Sequence, residues 1–199
     1  MPKRFSEREK ELIKKELQEK GAEQFAKYGL KKTTIDEIVK EVGISKGAFY
    51  KFYKTKEELF IDVTRKIERE YRATLDEEIS RMSPPELSLE YILNRSIEII
   101  ENNPLILRLV RPDEFNYVYR KMPEEAFNEN MEIDYNYTDS LIKRLEEKGI
   151  KLNCNNGQLM SLSLSVLALL IYKDLIGNDN YKYALKTINK ALSEHLTNK

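Results

Sequence analysis

The chain has 199 residues, 41% hydrophobic and 34% charged, with only seven glycines and six prolines. That length allows one domain or two small ones with a buried apolar core, so disorder is not the default, and the composition suits a soluble, helix-rich protein better than a sheet protein. The formal charge is zero, yet residues 1–56 hold fifteen Lys+Arg against nine Asp+Glu and the remainder nineteen against twenty-five, so a basic quarter adjoins an acidic body and fits a polyanionic partner at one end.

Helix punctuation then recurs in chain order. Ser6 and Glu9 form a capping box that opens a first helix to about Tyr28, with Ile13, Leu17, Gly21 and Phe25 on one stripe and Gly29 placed to end it. Thr34 with Glu37 opens a second to about Val42, ended by Gly43, and Ser45 caps a third. Thr55 with Glu58 opens a long fourth helix carrying Leu59, Phe60, Val63, Ile67, Tyr71 and Leu75 inward. Pro84-Pro85 forces a break, and Ser83, Pro84 and Glu86 predict an immediate restart. That fifth helix runs to "ENNP". A short apolar piece, "LILRLV", ends at Pro112, residues 113–122 carry no clear pattern, and a helix runs from about Pro123 to Gly149. Two more follow, roughly Asn156–Ile176 and Asp179–Leu196, separated by "GNDN".

"SLSLSVL" alternates like a strand, but its apolar run continues through "ALLIY" and no second strand exists to pair with it. An isolated strand would leave backbone groups unpaired, so helix is expected. The stretch from Leu159 to Tyr172 reads as too short and too serine-punctuated to cross a bilayer, hence as buried protein. No signal-type apolar segment opens the chain, and Cys154 and His195 are single. A disulfide framework and a Cys/His zinc site within one chain are excluded, and a cytoplasmic protein with no metal, cofactor or membrane partner is expected.

Two short helices around a glycine turn describe a helix-turn-helix, whose second helix enters the major groove of DNA. At about 100° per residue, Lys46, Gly47, Tyr50 and Lys51 share one sector of about 140°, while Phe49 and Phe52 point away. The lysines can reach phosphates or guanine acceptors, Tyr50 can donate its hydroxyl to a phosphate, and Gly47 permits close approach. Ala48 offers a methyl to a thymine methyl. Thr33, Thr34 and Ser45 lie at helix N-termini, where free amides favour a phosphate, and Lys56 starts the fourth helix in a similar place.

The stretch "TTIDEIVKEVGISKGAFYKFYKTKEEL" resembles the DNA-binding domain of the TetR family of bacterial one-component regulators. The likeness rests on Thr34, Ile38, Gly43, Ile44, Ser45, Gly47, Tyr50, Lys56 and Leu59 and covers residues of about 6 to 62. Val39 and Val42 stand where that family commonly has alanines, Lys51 where His or Tyr is frequent, and Phe52-Tyr53 reverses the usual aromatic order. The resemblance implies an all-α protein: a three-helix DNA-binding head, residues 1–54, joined by the fourth helix to an effector-binding and dimerisation body, residues 55–199. It implies a homodimeric repressor that binds a palindromic double-stranded DNA operator and is released by a small organic effector. An effector-independent DNA-binding protein or an activator is the alternative.

In the body, the helix from Asn156 is apolar on nearly every side and must be covered twice. Leu162, Val166 and Leu169 with Leu185, Ile188 and Leu192 of the last helix are the expected dimer contacts. Aromatics beside polar groups, Tyr91, Asn94, Arg95, Phe115, Tyr119, Phe127, Met131 and Tyr135, are the expected lining of the effector pocket that the resemblance implies. No phosphate loop, metal cluster or nucleophile elbow appears and the single His lacks a partner motif, so no catalytic residue is assigned and an enzyme is not expected.

Overall fold

The computed structural model describes residues 5–197. Every regular element among them is helical: α1 Glu7–Lys32, α2 Ile35–Val42, α3 Lys46–Phe49, α4 Lys56–Arg81, α5 Leu89–Glu101, α6 Pro104–Leu109, α7 Pro112–Lys121, α8 Glu124–Glu147, α9 Asn156–Ala168, a 3-10 turn Leu169–Tyr172, α10 Lys173–Ile176 and α11 Asn178–Thr197. The caps explain most of these starts. Capping boxes close at Ser6/Glu9, Thr34/Glu37 and Asn155/Gln158, and the Ser45 and Thr55 hydroxyls accept from Ala48 N and Glu58 N. Each such cap contributes about 1 kcal/mol. Gly29 (φ 80°, ψ 164°) breaks the helical path inside α1, and Gly43 ends α2 in the left-handed region, where a side chain would be strained.

The chain folds as two compact units. The first comprises Met1–Glu70 with Pro104–Met122, the second Tyr71–Asn103 with Pro123–Lys199. The first unit therefore exceeds residues 1–54: the early part of α4, α6 and α7 belong to it, because Leu59, Phe60, Val63, Leu105 and Val118 share one core with Leu17 and Phe25 of α1, Ile38 of α2 and Phe49 of α3. Phe25 and Phe60 meet edge to face at 5.1 Å. Burying each such side chain stabilises the unit by about 1.5–3 kcal/mol.

Two apolar cores are seen among the described residues of the second unit. Leu75, Ile79, Leu87, Ile92 and Leu145 form one, and Leu89, Leu93, Leu159 and Leu196 the other. Between α4 and α8 of this unit runs a polar lattice: Arg72 pairs with Asp134, Arg144 Nη1 lies 2.7 Å from Asp76 Oδ1, Tyr137 Oη donates to Asp76 at 2.9 Å, and Arg72 lies over the Tyr137 ring.

Three expectations are corrected. The restart after Pro84-Pro85 does not occur there; a proline disfavours the α conformation in the residue before it, so residues 84–87 turn and Ser88 caps α5 instead. Residues 113–121 lie in α7, with Pro112 at its first position, where its missing N–H costs nothing, and Met122 follows as its extended cap. The apolar stretch is part of a helical run Asn156–Ile176 of 21 residues, long and apolar enough by length and composition to cross a membrane, and little of it is buried. The run has the expected bounds but is barer than expected. Its buried flank is Leu159, Val166 and Leu170; Leu164 (67% exposed) and Leu175 (84%) lie open.

Candidate nucleic-acid interface

α3 is one turn of helix whose path continues through tighter bonds, Lys51 N to Ala48 O and Phe52 N to Phe49 O, into Tyr53. The tightening follows from burial: Phe49 and Tyr53 both enter the core, and their rings lie 5.9 Å apart. Ser45, Lys46, Gly47, Tyr50 and Lys51 remain exposed. The segment thus separates an apolar inside from a basic, tyrosine-bearing outside, as its period predicts.

Gly47 carries the most information. Among the described residues, the nearest side-chain atom that a Cβ built there would meet is Ser45 Oγ, at 4.0 Å. The fold does not require the glycine, although glycine in a helix costs about 1 kcal/mol relative to alanine.

The lysines are already engaged within the chain. Lys46 Nζ donates to Asp36 Oδ2 of α2 at 2.9 Å, which raises its ammonium above the ordinary lysine value. Lys51 Nζ lies 5.3 Å from the Phe5 ring centroid. Lys56 Nζ donates to the carbonyls of Leu30 (2.7 Å), Thr33 (2.8 Å) and Lys31 (3.3 Å). Its three N–H donors close the end of α1 onto the start of α4, so Lys56 is a structural tie where a phosphate contact was expected. Thr33 is likewise corrected: it is fully buried, and its hydroxyl donates to Gly29 O (2.8 Å) and Gln24 O (3.2 Å). The Ala48 methyl is buried against the core, because the short α3 turns that side inward. Thr34 is exposed, but its hydroxyl and amide donate to Glu37, holding that carboxyl below its ordinary value. The start of α2 is therefore already supplied with an anion.

Two groups near this face had no local signal. Asp36 meets Lys46 across the turn, ten residues away. Tyr53 Oη donates to Asp62 Oδ2 at 2.6 Å, and Gln18 Nε2 donates to the same oxygen at 2.9 Å, joining α1, α4 and the end of the α3 turn. Burial alone would raise the Asp62 carboxyl; the bonds from Tyr53 and Gln18 and the charge of Lys14 outweigh it and hold it low. Burial and then Asp62 push the Tyr53 phenol far up.

Residues 17–63 match the family model described as bacterial regulatory proteins, tetR family. That segment of the chain is therefore similar to the DNA-binding part of tetR-family regulators. The chain is 26% identical over 133 residues to the HTH-type transcriptional regulator YhgD of Bacillus subtilis strain 168, covering 67% of this chain and 61% of that one. Among solved structures, a TetR-family regulator from Pectobacterium atrosepticum superposes with a TM-score of 0.68 at 20% identity, over 98% of this chain and 99% of that one. FadR of Bacillus subtilis, solved with stearoyl-CoA, gives 0.66 at 15% identity over 92% and 97%. The all-helical TetR fold expected from the sequence is thereby found.

The residues expected to line an effector pocket fall in both units. Phe115 and Tyr119, stacked at 6.3 Å and exposed, belong to the first unit, whereas Tyr91, Asn94, Arg95, Phe127, Met131 and Tyr135 belong to the second. The polar ends of three are taken: Tyr91 Oη donates to Glu78 at 2.9 Å, Arg95 binds both Glu78 oxygens at 2.8–3.0 Å and Glu98 at 2.8 Å, and Asn94 Oδ1 accepts from the buried Asn189. Met131 and Tyr135 lie on the surface of α8. An open groove of about 270 Å³, lined by Pro84, Leu87, Ser88, Ile150 and Ser193 among others, contains none of these side chains.

The expected dimer contacts divide in two. Val166 and Leu185 are buried within their own protomer, and Leu162 and Leu192 pack on the Leu159–Leu196 core. Leu169 and Ile188 are half-buried. Helical period alone does not say which flank of an all-apolar helix faces its own core; the open large apolar residues of these helices are Leu164, Tyr172, Leu175 and Tyr183.

Proposed function

We propose that this chain is a DNA-binding transcriptional regulator acting as a homodimer, a repressor that binds a palindromic operator and is released by a small organic effector. The observation that carries the DNA-binding part is Gly47: a glycine in a helix that the protein's own packing does not need, set among exposed Lys46, Tyr50 and Lys51. A surface that must come close to another molecule explains such a residue. Within residues 1–54 the proposed contacts are Thr34, Ser45, Lys46, Gly47, Tyr50 and Lys51.

Pairing of copies is supported by the open flank of the α9–α10 run, since an apolar face of Leu164, Tyr172 and Leu175 beside Tyr183 gains by being covered. Two heads on a two-fold axis read an inverted repeat. Ligand control by a small molecule is supported by FadR, which holds stearoyl-CoA. The relatives are regulators, and no catalytic constellation is proposed.

Gly47→Ala tests the reading with two opposite signs. The substitution should stabilise the fold by about 0.5–1 kcal/mol in a thermal or urea melt, while lowering affinity for duplex DNA measured by fluorescence anisotropy. Unchanged or tighter DNA binding in the stabilised variant would remove Gly47, and with it the close approach, from the interface.

A further inference from the structure

Lys46 is the first residue of α3, the end of a helix where backbone amides disfavour a cation. Its ammonium is held at 2.9 Å by Asp36, and both side chains are open, 49% and 69% exposed. Asp36 is not used for capping α2, because Thr34 and Glu37 close that box between themselves. The chain therefore sets a carboxylate beside the cation best placed to meet DNA, where a negative charge repels every phosphate backbone alike. Such a residue weakens indiscriminate binding. It also fixes where the ammonium points, as a buried carboxylate does for an arginine in an interior.

We infer that Asp36 is a specificity-determining residue of the reading head: by holding Lys46 across the α2–α3 turn, it withholds that cation from arbitrary phosphates and frees it only where a matching site repays the broken pair. This rests on the DNA-binding reading above. On DNA of arbitrary sequence, moving Lys46 onto a phosphate releases one counterion but breaks one ion pair, so the exchange gains little. At a site offering a guanine acceptor to the lysine, and a cytosine amino group to the freed carboxylate, both partners are re-paired.

The test is a double-mutant cycle on the full chain, titrated against a short mixed-sequence duplex and against the duplex recovered by selection from random DNA, between roughly 50 and 200 mM salt. Asp36→Asn should tighten mixed-sequence binding by up to about eightfold near 0.1 M salt and steepen the salt slope by about 0.9, the value for one added phosphate contact. The ratio of selected to mixed-sequence affinity should fall. In a Lys46→Met background, Asp36→Asn should change both quantities clearly less, leaving only the repulsion of its own charge. A gain that persists undiminished in that background would show Asp36 acting by its own charge and would overturn the inference, as would an unchanged slope in the parent. Circular dichroism melts serve as the folding control, since both residues are exposed. A wild-type chain that binds neither duplex sinks the DNA-binding reading itself, whereas a binding wild type with an uncoupled cycle overturns only the role of Asp36.

Discussion

Gly29→Ala should be among the most damaging single-methyl additions in the first unit. Gly29 sits at φ 80°, ψ 164°, a region almost reserved for glycine, and forcing another residue into it costs about 1–3 kcal/mol. The added Cβ would also fall 2.0 Å from Glu114 Oε1, 2.6 Å from its Cδ and 2.7 Å from Arg108 Nε. Glu114 would have to leave. Its side chain is only 10% exposed, and it accepts from Arg108 at 2.9 and 3.1 Å while Arg108 also donates to Lys27 O. Breaking a buried pair costs about 3–5 kcal/mol; Arg108, 22% exposed and still bonded to Lys27, keeps part of its solvation, which brings this down to about 2 kcal/mol. The total is about 4 kcal/mol, a fall in Tm of about 8–16 °C for a chain of this length. Circular dichroism melts of wild type, Gly29→Ala, Glu114→Ala and the double variant separate the parts. In the Glu114→Ala background only the backbone cost of about 1–3 kcal/mol should remain. A Gly29→Ala variant within about 1 kcal/mol of wild type would refute the close packing, and a full penalty in both backgrounds would show that Glu114 plays no part.

Lys56→Met removes three donors from the carbonyls of Leu30, Lys31 and Thr33, so stability should fall by about 1.5–3 kcal/mol in urea while the salt slope of DNA binding stays the same; a slope reduced by about 1 would restore Lys56 to the phosphate contacts. Asp62 is held below its ordinary value, so its stabilisation is present above the unfolded carboxylate value and is lost as pH falls through the lower folded one. Tyr53→Phe removes the 2.6 Å donor, costs about 1–2 kcal/mol near neutral pH, and should make the acid transition begin at higher pH; identical acid melts would count against the Tyr53–Asp62 bond. Leu164→Glu should leave protomer stability within about 0.5 kcal/mol but shift the chain to monomer in sedimentation equilibrium, whereas Val166→Ala should cost about 2 kcal/mol without acting on the exposed flank; a persisting Leu164→Glu dimer places the interface elsewhere.

The head was legible in the sequence because its signals are local. Thr34/Glu37, Ser45 and Gly43 announce themselves within a few residues, and the outward set of Lys46, Gly47, Tyr50 and Lys51 follows from period alone. Reading failed where a residue's role depends on a distant partner. Lys56 looks like a phosphate ligand until the carbonyls of residues 30–33 appear beside it, and Thr33 and Ala48 look outward until the core closes over them. Pro112 reads as a stop although proline serves equally as a first helical residue, so α7 has no clear local signal. In the body, Arg95 and Tyr91 resemble ligand-binding groups by composition, but Glu78, from a different helix, takes both. The all-apolar α9 gives no rotational mark, so only the packing of Leu159 and Val166 reveals which flank is inward.

Selection of bound duplexes from a random library by the full chain, at low ionic strength, tests most directly whether the α2–α3 segment is a pair of symmetric DNA readers. Enrichment of an inverted repeat, lost in the Gly47→Ala variant, is the expected result. A library that emerges unenriched, with no duplex retained above the level of an inert protein, would contradict it.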